Sequence, residues 1–150
     1  MSSTEVPIRG SFLMPALEHA RVADAMHPGV LACQPDASLT DVARLMAANH
    51  VHCIVVEVAD GAAGDKLVWA TITDRQLLRA ALALDFEPTA ASIAGRPIVR
   101  VGPDMPLLEA AELMMSRDVS HVLVTDPASE RPIGILSTAD IAGVIAWGEA

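Results

Sequence analysis

The sequence predicts an α/β (α+β) protein made of two β-α-β-β-α repeats packed about a pseudo-two-fold axis. Three observations lead there. The chain aligns with itself at a shift of 68 residues, so that 30–56 falls on 98–124 with eight identities, Pro35/Pro103, Asp36/Asp104, Leu39/Leu107, Ala43/Ala111, Leu45/Leu113, Met46/Met114, Val51/Val119 and Val56/Val124. In each copy a short β-branched run precedes apolar residues at helical spacing. In each copy two further apolar runs then flank a polar turn.

The elements follow in order. Val30–Cys33 and Ile98–Val101 read as first strands. Leu39, Val42, Leu45 and Met46, and Leu107, Ala110, Leu113 and Met114, mark one face of a helix in each copy. Asp36/Ser38 and Asp104 with Pro106 are start signals. Second strands fall at His52–Val58 and Ser120–Thr125, and the turns at ADGAAGDK and DPASERP. Third strands, Leu67–Thr71 and Ile133–Ser137, lead into helices Asp74–Leu84 and Ala139–Trp147. The first crossover should place its two strands in parallel, and the second and third strands should form a hairpin. A unit of about 60 residues is marginal alone, so two must share a core. This divides the chain into an extension (1–20), a first repeat (21–85), a linker (86–96) and a second repeat (97–150), with a leading helix over Pro15–Met26.

Composition narrows the function. Of 150 residues, 52% are hydrophobic, and mean hydropathy is +0.40. That apolar excess suggests helix faces buried in a homodimer. No apolar run reaches the roughly 18 residues of a membrane span, and MSSTEVPIRG lacks the layout of a signal peptide. A cytoplasmic protein without membrane contact is expected. A net charge of −9 without a basic cluster argues against nucleic acid. Cys33 and Cys53 lie in apolar runs and read as reduced, buried thiols.

GILSTAD (134–140) carries the chemistry of interest. Past the 68-residue repeat, a slip of two brings VWATITD (68–74) under it, pairing Thr71 and Asp74 with Ser137 and Asp140 and setting Val68 opposite Gly134. Ser or Thr followed three residues on by an acid is also a capping box, and Ser38–Asp41 shows the same pattern. Yet each copy stands where a strand ends and a helix begins. Free backbone N–H groups and the dipole favour an anion there. A carboxylate one turn on can accept from the vicinal hydroxyls of a ribose. Such charged hydrogen bonds contribute about 1.5–3 kcal/mol each. Gly134 would let the ligand approach the chain closely.

The ordered set VADAM (22–26), QPDASLTDVARLMAANHV and TITDRQLLRA closely resembles a CBS domain, named after cystathionine β-synthase. VGPDMPLLEAAELMMSRDVSHVLVTD through GILSTADI resembles a second, so that the likeness spans residues 20–147. A tandem pair is a Bateman module. The resemblance implies a regulatory sensor of AMP, ADP, ATP or S-adenosylmethionine and pairing of two modules into a disc. Its motif, glycine, two apolar residues, Ser or Thr, two variable residues and Asp, matches Gly134, Ser137 and Asp140. It matches Thr71 and Asp74 in the first repeat, where Val68 replaces the glycine and narrows that cleft. It also implies ligand contacts from His52-Cys53 and Ser120-His121, with His52 and His121 facing phosphate, and base contacts near Val30 and Ile98. Arg75 is typical of the family.

Other chemistries find less support. His50, His52 and Cys53 form H-x-H-C, but no second ligand cluster completes a zinc site, and alternation turns Cys53 away. No nucleophile elbow, P-loop or acid/base pair appears, so no enzyme is expected. No effector domain is recognised, which implies a separate, unidentified effector protein. The rival function is a dimerising interaction module without a ligand, built on faces such as LLRAALAL and IAGVIAW.

Overall fold

The computed structural model describes residues 14–59, 66–83, 87–95 and 99–148. Its elements run α1 (Val22–Ala25), β1 (His27–Pro28), β2 (Ala32–Cys33), α2 (Leu39–Asn49), β3 (Cys53–Ala59), β4 (Leu67–Thr73), α3 (Asp74–Leu82), α4 (Ala90–Ile93), β5 (Arg100–Val101), α5 (Leu107–Arg117), β6 (His121–Thr125), β7 (Pro132–Ser137) and α6 (Thr138–Trp147). The two β-α-β-β-α units are present. In each, the first strand lies parallel to the second and the second antiparallel to the third. One sheet has the order β2-β3-β4, the other β1-β7-β6-β5. Strands β4 and β6 bring the sheets alongside one another.

The units exchange their leading helices. Helix α1 opens the first repeat in sequence, but Val22 is buried in the second core with Val101, Leu107, Met114, Val124 and Leu136. Helix α4 lies in the stretch read as linker, yet Ala90 and Ile93 join the first core with Val42, Ile54, Val56 and Ile72. Backbone bonds fix the exchange in matched pairs. Val22 N–H donates to the Met105 carbonyl and Ala23 N–H to that of Pro103 (both 2.9 Å). Ala90 and Ala91 donate to Ala37 and Pro35, also at 2.9 Å. Every one of these residues is displaced by the 68-residue shift, which makes the pseudo-two-fold relation concrete. The exchange leaves neither unit with a complete core of its own.

Three local features were not expected. The leading helix is one turn long, not the whole of Pro15–Met26, and is followed by β1. Strand β1 joins the other repeat's sheet by pairing His27 with Ile135 and Pro28 with Gly134. Within 1–20, Met14 and Leu17 pack against the second core, where Ala20 is buried. The first turn (60–65) and the end of the helix expected to reach Leu84 lie outside the described residues.

Candidate functional site

Two grooves lie where the repeats meet. Groove A, about 520 Å³, is lined by Gly29, Val30 and Leu31, by His50–Cys53, and by Ser137, Ala139 and Asp140 of the second repeat, with His27 and His121 at its rim. Groove B, about 510 Å³, is its counterpart. Thr71, Thr73, Arg75, Gln76 and Arg79 face Val99, Met115 and the segment Arg117–His121 across it. Each groove draws on both repeats, so neither exists in an isolated unit.

The cap reading of the GILSTAD motif holds. Ser137 is the N-cap of α6. Its Oγ accepts from Asp140 N–H at 3.1 Å, and Asp140 Oδ2 accepts from Ser137 N–H at 2.8 Å. The same box forms at Ser38 and Asp41, as the pattern suggested. But a carboxylate offers about four lone-pair positions. Asp140 lines groove A, and its Oδ1 lies 3.2 Å from His27 Nδ1. The Asp140 side chain is 13% exposed and that of His27 81%, so an acid held in the wall is covered by a ring that solvent or a ligand can displace.

The first copy of the motif differs from its expected register. Cys53 pairs with Thr73 in the β3–β4 hairpin, while His121, the repeat of Cys53, pairs with Ser137. The slip across the turn is therefore four residues, not two. Thr73, not Thr71, answers to Ser137; Gln76, not Asp74, answers to Asp140; and Ala70, not Val68, answers to Gly134. The caps agree: Thr73 Oγ1 accepts from Gln76 N–H at 3.3 Å and Gln76 Oε1 from Thr73 N–H at 2.7 Å. T-x-x-Q is itself a capping-box signature, and that signal in the sequence would have given the register.

The remaining expected residues fall as follows. Thr71 lines groove B. Asp74 lines neither groove. It opens α3, donates its N–H to the His52 carbonyl at 3.0 Å, and holds His52 Nδ1 at 3.1 Å through Oδ2. Both side chains are more than half exposed, so this pair contributes little to stability. His52 and Val30 line groove A. Ile98 lies outside the described residues; its neighbour Val99 lines groove B. Gly134 lines neither groove. What approaches it is β1: a Cβ there would stand 2.5 Å from the His27 carbonyl oxygen. Its role is to admit a strand, which corrects the expectation of a close approach by ligand. Sequence reasoning missed His27, Thr73, Gln76 and Arg79.

His121 borders both grooves, and its Nδ1 lies 2.9 Å from Ser120 Oγ. Burial lowers its pKa from the usual 6.5, with His52 adding to the effect and Asp74 and Asp140 opposing it. A histidine depressed in the folded state favours the native structure when neutral. Its contribution is present above the unfolded pKa and is lost as pH falls through the lower folded value. The melting temperature should therefore fall as pH is lowered from neutral through the usual histidine value of 6.5 and below, and less steeply in His121→Gln. An identical decline in that variant would assign the effect elsewhere. Burial, with Asp74 adding to it, pushes the Cys53 thiol up to about 12, which leaves it protonated and inert at neutral pH. Among the described residues, no three His, Cys, Asp or Glu side chains are grouped to hold a metal ion.

The CBS domain family matches residues 22–83 and again 90–146. The chain belongs to the CBS-domain family. Its fold is that of solved CBS pairs. One is the CBS domain pair of protein MJ0100 in complex with 5′-methylthioadenosine and S-adenosyl-L-methionine, at 23% identity and TM-score 0.70 over 85% of this chain and 96% of that one. Another is CBSX2 in complex with AMP, at 21% identity and TM-score 0.64 over 84% and 96%. A third is Hypoxic Response Protein I with two coordinated zinc ions, at 27% identity and TM-score 0.65 over 83% and 98%. No curated protein matches in sequence. Among the described residues, no helix of this CBS pair is long and apolar enough to cross a membrane.

Proposed function

We propose that this CBS pair is a non-catalytic regulatory module that binds an adenosine derivative in groove A. The observation that carries the reading is the divided carboxylate of Asp140. One oxygen fixes the start of α6, while the other faces an apolar-walled groove between the repeats. Ribose hydroxyls would replace His27 on Oδ1, and Val30 and Leu31 offer a surface for the base. AMP, ADP, ATP and S-adenosylmethionine are the candidates, the class bound by the MJ0100 and CBSX2 pairs. No lysine or arginine is among the described residues lining groove A, which favours a neutral or cationic tail such as a sulfonium.

A ligand touching both repeats would bias their relative angle, and a separate effector protein would read that angle. The acting unit is a disc-like homodimer. Leu78 and Leu82 on α3, Met115 on α5, and Ile145 and Trp147 on α6 are each at least 64% exposed, apolar side chains that a second copy would cover. Sedimentation at micromolar concentration should give the dimer mass; a monomer would remove this part. The free thiols of Cys33 and Cys53 suit a reducing compartment, and we assign the module to the cytoplasm.

Thermal unfolding with each adenosine compound tests the reading. A ligand at about 100 times its Kd adds roughly 2.7 kcal/mol. For a chain of this length, that raises Tm by about 5–10 °C. No shift with any of them would favour the second reading, a dimerising interaction module without a ligand, which the same exposed helix faces support.

A further inference from the structure

At one position the two halves of the molecule differ by a whole side chain. His27 Nδ1 lies 3.2 Å from Asp140 Oδ1, an exposed ring over a nearly buried carboxylate. The backbone beneath the ring is duplicated. His27 pairs with Ile135 across β1 and β7. A shift of 68 residues carries His27 to Gly95, whose N–H donates to the Thr71 carbonyl at 2.9 Å. Thr71 answers to Ile135 in the register that sets Thr73 against Ser137. The plan is therefore the same, with glycine where groove A has histidine. A Cβ on Gly95 would collide with Gln76 Nε2, and Gln76 is the counterpart of Asp140.

The backbone pairing thus forms without an imidazole, so the ring is not needed to build it. What the ring does is occupy Asp140. Oδ2 is bound to Ser137 N–H, and the ring lies on the other oxygen. That is the oxygen the nucleoside reading gives to the ribose, so ring and ribose compete for it. The strength of the competition depends on a proton. A neutral imidazole donates an ordinary hydrogen bond from Nδ1, whereas an imidazolium sets a full charge against the carboxylate. Other titrating groups stand nearby. His50, His52 and His121 line the same groove, and Asp74 lies against His52. Asp24 of α1 accepts from Arg21 N–H, and β7, beside β1, carries no titratable side chain.

We propose that His27 is a proton-controlled cover on the ribose site of groove A. Protonated, it holds Asp140 against the ligand; neutral, it yields. The inference rests on the nucleoside reading of groove A and adds its regulation, release of ligand on acidification. The ring acts separately from its strand. Since β1 also leads into Gly29 and Val30 of the wall, losing the strand takes away part of the groove, whereas losing the ring alone opens it.

Titration calorimetry with adenosine on the intact protein tests this over about pH 5.8–8, the span in which a histidine titrates. Adenosine carries no charge there, and the other histidines are common to the parent and its His27 variants. In the parent, affinity should weaken about threefold to fivefold from the alkaline to the acid end, the effect of one partly exposed ion pair. By reciprocity, binding should release a fraction of a proton, read from the heat in buffers of different ionisation enthalpy. His27→Gln keeps a donor but gains no charge, so it should show a flatter pH profile and release fewer protons. His27→Ala should bind more tightly than the parent, most clearly at the acid end. One pH profile and one proton count shared by parent and variants would overturn the cover and leave the nucleoside reading standing. Adenosine bound by none of the three proteins at any pH overturns both. Binding by His27→Ala alone supports both.

Discussion

In Asp140→Asn, the stabilisation by an adenosine ligand should vanish while the fold survives. The amide keeps an oxygen to accept from Ser137 N–H, so the start of α6 remains closed. What goes is the charge facing groove A. Two charge-assisted bonds to vicinal hydroxyls contribute about 3–6 kcal/mol together. Losing that weakens binding a hundredfold or more, and a ligand that had been at 100 times its Kd falls to about its Kd or below. The Tm shift of roughly 5–10 °C should shrink to about 1–2 °C or less. Asp140→Ala should abolish the shift equally and lower the ligand-free Tm as well. It leaves the Ser137 N–H without its acceptor, and losing one hydrogen bond to a charged group costs about 1.5–3 kcal/mol. A full shift retained in Asp140→Asn would show that the groove grips its ligand by other means.

The second large effect is expected at Gly134. In Gly134→Val, the first added carbon would meet the His27 carbonyl oxygen at 2.5 Å and Met26 Sδ at 3.0 Å. The sulfur can move, but the carbonyl belongs to a backbone strand. Strand β1 must then leave β7, giving up the His27–Ile135 and Pro28–Gly134 pairings and the 2.8 Å bond from Gly29 N–H to the Ile133 carbonyl. Overpacking of this kind costs about 1–3 kcal/mol, so Tm should fall by several degrees. Ligand stabilisation should fall too, because β1 leads into Gly29 and Val30 of the groove wall. Gly143→Ala is the control. Nothing lies within 4 Å of a Cβ there, and alanine in a helix should stabilise by about 0.5–1 kcal/mol. A Gly134→Val protein as stable and as ligand-responsive as the parent would remove β1 from the site.

The same residues show where sequence reasoning reached and where it stopped. Helices α2 and α5 were legible because Leu39, Val42, Leu45 and Met46, and their copies, repeat at helical spacing whatever surrounds them. The Ser137–Asp140 box was legible because a cap is local: four consecutive residues decide it. The register of the first motif is not legible in the same way, because Thr71, Thr73 and Asp74 present competing local patterns. Only the β3–β4 pairing, Cys53 to Thr73, selects among them. At Gly134 the lack of a side chain is plain in the sequence, but the strand that lies against it is not. Its neighbour, β1, lies more than 100 residues away in sequence and is two residues long.

The sequence alone therefore determined the duplicated β-α-β-β-α plan, the CBS family and the acid that faces the groove, since each is written in short-range pattern or in the repeat. Only the tertiary structure decided which repeat completes which core, what presses on Gly134, and that Gln76 with Arg75, Arg79 and Arg117 makes the second groove unlike the first. Those outcomes depend on strand register and on α1 and α4 crossing between units. They are contacts between residues far apart along the chain, which no local pattern encodes.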